Sequence, residues 1–187
     1  MPRQIRLSAV QTATDRSRRT VTRLTRRAII LCGLAGLAGC GAAPSRFRTY
    51  DGPEVTQLLL FKERRVMHLL HNDQVLRSYT FELGFAPTGP KRVEGDGRTP
   101  EGTYLINRRN PNSQYHLSLG ISYPDTRDVE LARALGLPPG GEIFIHGTPR
   151  RNLGQRDWTA GCIAVTNDEI EEIYAMVRDN TPIIILP

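Results

Sequence analysis

The sequence predicts a mostly β domain, a sandwich or irregular barrel with short peripheral helices, and two observations predict it. About seven short runs rich in Val, Ile, Leu, Phe and Tyr, bounded by turn residues, outweigh two stretches with helical spacing. These runs also fail to alternate regularly with helices, which argues against a doubly wound nucleotide-binding fold.

Residues 55–61 and 65–70 read as strands, His71-Asn72-Asp73-Gln74 has turn composition, and 75–83 returns as a third strand to complete a meander. Residues 84–100, rich in Gly, Pro, Thr and Lys or Arg, predict a long exposed loop bordering a cleft. A strand is expected over 103–106, then an irregular segment over 107–128 that contains a short strand near 117–123. Asp128 is the expected cap of a helix over 129–135, which Gly136 and Pro138-Pro139 stop. Residues 142–145 form a short apolar strand that runs directly into His146-Gly147, and 148–160 form a polar loop. Residues 162–165 are apolar, Asn167 is the expected cap of a helix over 168–178, and 181–186 close the chain as a strand.

The 187 residues fit one domain with an N-terminal extension. The net charge of +6 invites a nucleic-acid partner, yet residues 1–39 hold eight Arg and one Asp, a net of +7. The remaining 17 basic and 18 acidic residues give −1, so the folded body lacks the cationic surplus that displaces counterions from phosphates. No nucleic-acid partner is expected.

Residues 1–39 read as a lipoprotein signal peptide: Arg26-Arg27, an apolar stretch from Ala28 to Leu37, then small residues, too short an apolar run for a spanning helix. Leu37-Ala38-Gly39-Cys40 resembles a bacterial lipobox, which makes Cys40 the expected lipidation site and mature N-terminus. Residues 40–54 are the expected flexible tether and 55–187 the folded domain. The expected location is therefore the periplasm or cell envelope, with the protein held on a membrane through Cys40. Cys32 leaves with the leader, so Cys162 alone remains as a thiol, either buried as a small hydrophobe or reactive.

Its surroundings point to reactivity. His146 emerges from an apolar strand into a Gly-containing turn, and Cys162 follows sixteen positions later behind Thr159-Ala160-Gly161. A thiol beside an imidazole is a nucleophile with its base. Gly161 would let substrate approach the main chain while adjacent N–H groups stabilise an oxyanion, and the imidazole is expected to favour thiolate at neutral pH.

The strings Ile145-His146-Gly147-Thr148 and Asp157-Trp158-Thr159-Ala160-Gly161-Cys162-Ile163-Ala164-Val165 resemble the catalytic core of the L,D-transpeptidases, the YkuD-domain family. Gly95-Asp96-Gly97-Arg98-Thr99-Pro100-Glu101-Gly102-Thr103-Tyr104 is similar to that family's Thr-Pro-x-Gly segment, and the whole looks most like its YafK-type branch. The resemblance implies an L,D-transpeptidase-like β-sandwich and a cysteine enzyme acting on peptidoglycan stem peptides without metal or cofactor. It makes Cys162 the nucleophile, His146 the base, and the Gly147 carbonyl the group that orients the imidazole. Thr159 and Gly161 match the turn flanking the thiol. Many members carry a second His before the Gly-Cys pair and an Asn or Arg two residues after Cys, where this chain has Ala160 and Ala164. Arg109, His116 and Arg156 are therefore candidate partners for a stem carboxylate.

The acyl acceptor stays open. A stem-peptide amine gives 3→3 cross-links, a lysine of an outer-membrane lipoprotein gives a wall tether, and water gives the hydrolytic amidase of the same family. A non-catalytic peptidoglycan-binding lipoprotein is the rival from another class. His68 and His71, three apart in a strand, face opposite ways and make no metal pair.

Overall fold

The computed structural model describes residues 45–187, so the leader, the lipobox and Cys40 lie outside the described residues. The described residues form one curled eight-stranded sheet with two α-helices. Its first strands are β1 (Gln57–Phe61), β2 (Val66–His71) and β3 (Gln74–Thr80), the antiparallel meander, followed by β4 (Gly102–Asn110), β5 (Ser118–Ile121), β6 (Phe144–His146), β7 (Ile163–Ala164) and β8 (Pro182–Leu186). The spatial order is β3-β2-β1-β8-β4-β5-β6-β7. The last strand thus sits in the middle, parallel to β1 and antiparallel to β4.

Strict alternation builds the core. Leu58 and Leu60 of β1, Met67 and Leu69 of β2, and Ile183 and Ile185 of β8 all point inward and are buried. On the other half, Leu119, Ile145 and Ile163 continue this apolar face, and helix α2 (Asn167–Met176) covers it with Ile170 and Ile173. The residues after β3 bend back to the far edge, where Glu82 pairs with Ala164 and Gly84 with Thr159. The sheet therefore curls toward closure, which leaves little free edge for unwanted pairing.

Three local expectations differ from the structure. β4 runs to Asn110, so residues 107–110 are strand rather than irregular; a bulge between Ile106 and Arg108 disguises the apolar alternation there. Helix α1 (Thr126–Ala134) starts earlier than expected, because Asp125 caps it and Asp128 is the reciprocating carboxylate of a capping box. In α2 the cap is Thr166, one residue before Asn167, paired with Glu169 in the same way. Within the segment 45–54, Arg48 pairs with Glu171 at 2.9 Å, and the Phe47 ring lies 6.3 Å from that of Tyr174. No helix among the described residues is long and apolar enough to cross a membrane.

Candidate active site

The site lies on the face of β4–β7 opposite the apolar core. Register fixes one row across the strands as Asn110, Ser118, His146 and Ala164. The next row on that face is Arg108, Gly120 and Phe144, and Cys162, one residue before β7, continues it. His146 and Cys162 thus share a face on adjacent strands. They also share a cavity of about 390 Å³ whose other walls include Ser118, Tyr115, Glu142 and the amides of Asn110 and Gln114.

Three groups hold the imidazole. Its Nδ1 lies 2.8 Å from the Gly147 carbonyl, a main-chain acceptor, so Nδ1 carries the proton and Nε2 keeps a lone pair. Tyr115 stacks on the ring at 4.5 Å between centroids and 24° between planes, while Trp158 meets it edge-on at 5.5 Å and 64°. The hydrogen bond sets one axis and the aromatic pair sets the ring plane. Burial pushes the His146 pKa below its ordinary value, only partly countered by the bond to Gly147, so the ring is held neutral. Gly147 has no room for a side chain: a Cβ there would collide with Asn167 Oδ1 and the Tyr115 carbonyl.

The thiol sits between two main-chain groups. Cys162 Sγ lies 3.5 Å from the Glu142 carbonyl, which accepts its proton, and the Phe144 N–H donates to the sulfur. Burial pushes the thiol pKa up, Phe144 N–H draws it down, and the Glu142 carboxylate pushes it up again. Burial thus disfavours the charged form of each group, pushing the His146 pKa down and the Cys162 pKa up.

Thr159 and Gly161 shape the turn. The Thr159 hydroxyl donates to the Cys162 carbonyl at 2.7 Å and accepts the Gly161 N–H at 3.1 Å. These two bonds hold the backbone of the thiol in place. Gly161 has φ +127°, and a Cβ there would lie 2.5 Å from the Arg98 carbonyl. Thr99, fully buried, donates to the Gly161 carbonyl at 2.8 Å, which is how the Thr-Pro-x-Gly segment reaches the site. Asp157, also at positive φ, is gripped by both terminal nitrogens of Arg65, and this ion pair holds its carboxyl below the usual range.

The three candidate carboxylate partners lie elsewhere. Arg109 turns to the core face and donates to the carbonyls of Val177 and Tyr174 (2.6 Å to the latter) at the end of α2, with its guanidinium 4.0 Å from the Tyr174 ring centroid. His116 Nε2 binds Glu171 at 2.7 Å. Arg156 is exposed and borders a different cavity, of about 520 Å³, beside Lys62 and Arg65. The sequence reading missed the site roles of Tyr115, Phe144 and Glu142; Thr99 was read within the Thr-Pro-x-Gly segment, and Glu142 and Phe144 within the strand that leads into His146.

The family profile of the YkuD L,D-transpeptidase catalytic domain matches residues 57–185, and the chain belongs to that family. Among characterised sequences it is 33% identical over 124 residues to the "Putative L,D-transpeptidase YafK" of Escherichia coli K12. That match covers 63% of this chain and 45% of the relative, so the chain spans less than half the length of the curated relatives it matches. The fold is shared with the helical cell shape determining protein Pgp2 of Campylobacter jejuni (TM-score 0.56, 24% identity, 73% of this chain and 49% of that one). It is shared also with Bd1075 of Bdellovibrio bacteriovorus (TM-score 0.52, 23% identity, 75% of this chain and 50% of that one).

Proposed function

We propose that the chain is a cysteine-dependent acyltransferase of the cell wall that acts on peptidoglycan stem peptides. The observation that carries this reading is His146, its Nδ1 held 2.8 Å from the Gly147 carbonyl, in one cavity with the Cys162 thiol. Nε2 takes the thiol proton as Sγ attacks the carbonyl of the third stem residue. The C–S bond forms, the C–N bond breaks, and the imidazolium returns its proton to the departing D-Ala amine. An acceptor amine, on another stem or on an outer-membrane lipoprotein, or water then attacks the thioester and regenerates the thiol. In this reading Cys40 carries the lipid that keeps the enzyme at the envelope.

Incubating purified sacculi with wild type and Cys162→Ala, then resolving muropeptides by mass, tests the reading and identifies the acceptor. Wild type is expected to convert tetrapeptide stems and the variant to leave them unchanged; equal conversion by both removes the thiol from the reaction. One observation favours the non-catalytic wall-binding alternative: burial raises the thiol pKa. An inert Cys162 and unchanged sacculi with wild type would establish that alternative. Lipidation is tested separately by fatty-acid labelling, which Cys40→Ser should abolish.

A further inference from the structure

The outer row of the site face ends in a side chain that the proposed chemistry leaves unused. Arg108 lies flat across the sheet toward the thiol. A Cβ built on Gly120 would come within 3.2 Å of Arg108 Cβ and 3.4 Å of its Nε, so the missing side chain at Gly120 is what lets the arginine stem lie down. The guanidinium carbon then rests 4.7 Å from the centroid of the Phe144 ring. Phe144 is the strand neighbour of Cys162, so the guanidinium lies about one to two strand spacings, roughly 5–10 Å, from the thiol's strand.

Its present partner is one of the cavity's own walls. A single Arg108 nitrogen holds both Glu142 oxygens at 3.1 Å, leaving the other guanidinium donors free of protein partners among the described residues. Both side chains are more than half exposed, and exposed pairs of this kind hold weakly. Glu142 is itself at φ +55°, its carbonyl accepts the thiol proton, and it lines the Cys162 cavity. Among the walls of the Cys162 cavity it is the one formally charged side chain; the rest are amides, hydroxyls, aromatics, the thiol and the imidazole.

We propose that Arg108 reads a carboxylate of the acyl donor, one within a few bonds of the amide that Cys162 attacks, and that Glu142 occupies the guanidinium until that carboxylate displaces it. The proposal rests on the acyl-transfer reading of the site. A planar guanidinium held by an aromatic face is suited to two-point recognition of a carboxylate. Glu142 then acts as an internal competitor, which makes the two variants move in opposite directions.

The test uses two synthetic stem tetrapeptides, one with free carboxylates and one amidated at the carboxylates flanking the scissile bond. Their dissociation constants are measured with Cys162→Ala protein, alone and combined with Arg108→Gln or Glu142→Gln, and KM is measured with the corresponding proteins that retain Cys162. Arg108→Gln should weaken the acidic peptide about tenfold to a hundredfold and leave the amidated one unchanged. Glu142→Gln should tighten the acidic peptide several-fold. If Arg108→Gln weakens neither peptide or both alike, or if Glu142→Gln weakens the acidic peptide as Arg108→Gln does, the pair is a strut and the proposal fails. Wild type that binds both peptides but turns over neither would sink the acyl-transfer reading while leaving the binding arm to decide on Arg108.

Discussion

The two faces of β4–β7 are made by the same residues of chain, one step apart, and do opposite things. Ile145 and Ile163 face α2 and are buried, whereas their neighbours His146 and Cys162 face the cavity. Arg109 closes the end of α2 while Arg108 lies on the site face. Alternation along a strand thus separates stability from chemistry without separating them in sequence. A substitution at one position should move stability or turnover, and rarely both.

The largest expected effects are on the site face. Cys162→Ala should abolish both muropeptide conversion and covalent labelling by a carbapenem, whose strained carbonyl stands in for the stem amide. His146→Ala should lower kcat/KM about 10²–10⁴-fold. Cys162→Ala should change the free energy of urea unfolding by no more than about 1 kcal/mol; a large loss of stability there would show that the two faces are not independent. On the opposite face, Ile145→Ala should cost about 2–5 kcal/mol in urea unfolding, with kcat/KM per folded molecule preserved. Arg109→Gln should cost about 1–2 kcal/mol through the freed carbonyls at the end of α2, with KM unchanged. A rise in KM would mean that Arg109 reaches substrate after all.

The smallest effects are in pH. Alkylation of Cys162 should rise with pH through a midpoint above that of an ordinary thiol, about 8.5, because burial raises it. A midpoint below 8.5 would mean that a thiolate–imidazolium pair forms at rest. For His146 the folded pKa is depressed, so between it and about 6.5 the unfolded chain binds a proton that the folded one refuses. Stability should therefore fall modestly as pH drops below about 6.5, and His146→Gln should remove that slope.

What was legible in the sequence follows the same division. The apolar runs and the two helices could be read because burial imposes a period, and His146, Gly147 and Cys162 because they stand in short contiguous strings. Arg108 could not be separated from Arg109, since the bulge after Ile106 inserts a residue and reverses which of the two faces the site. Tyr115 contributes a ring face and a carbonyl from an irregular polar segment, with no spacing to mark it. The helix caps were misplaced because Asp125 and Asp128, like Thr166 and Asn167, are all competent cap residues, and only the backbone angles choose.

The central position of β8 bears on how this domain comes into being. β1 and β4 meet only through Pro182–Leu186, so neither half of the sheet has its neighbour until that segment exists. The pairing joins residues more than a hundred positions apart, which places the domain among slow, topology-limited folders. Any chain still being synthesised, or cut before residue 182, exposes two strands that in the finished domain are interior, and is correspondingly prone to aggregate. Assembly has to wait for synthesis to pass residue 186, so the cysteine and histidine strings, although already made, stay without a working geometry until then.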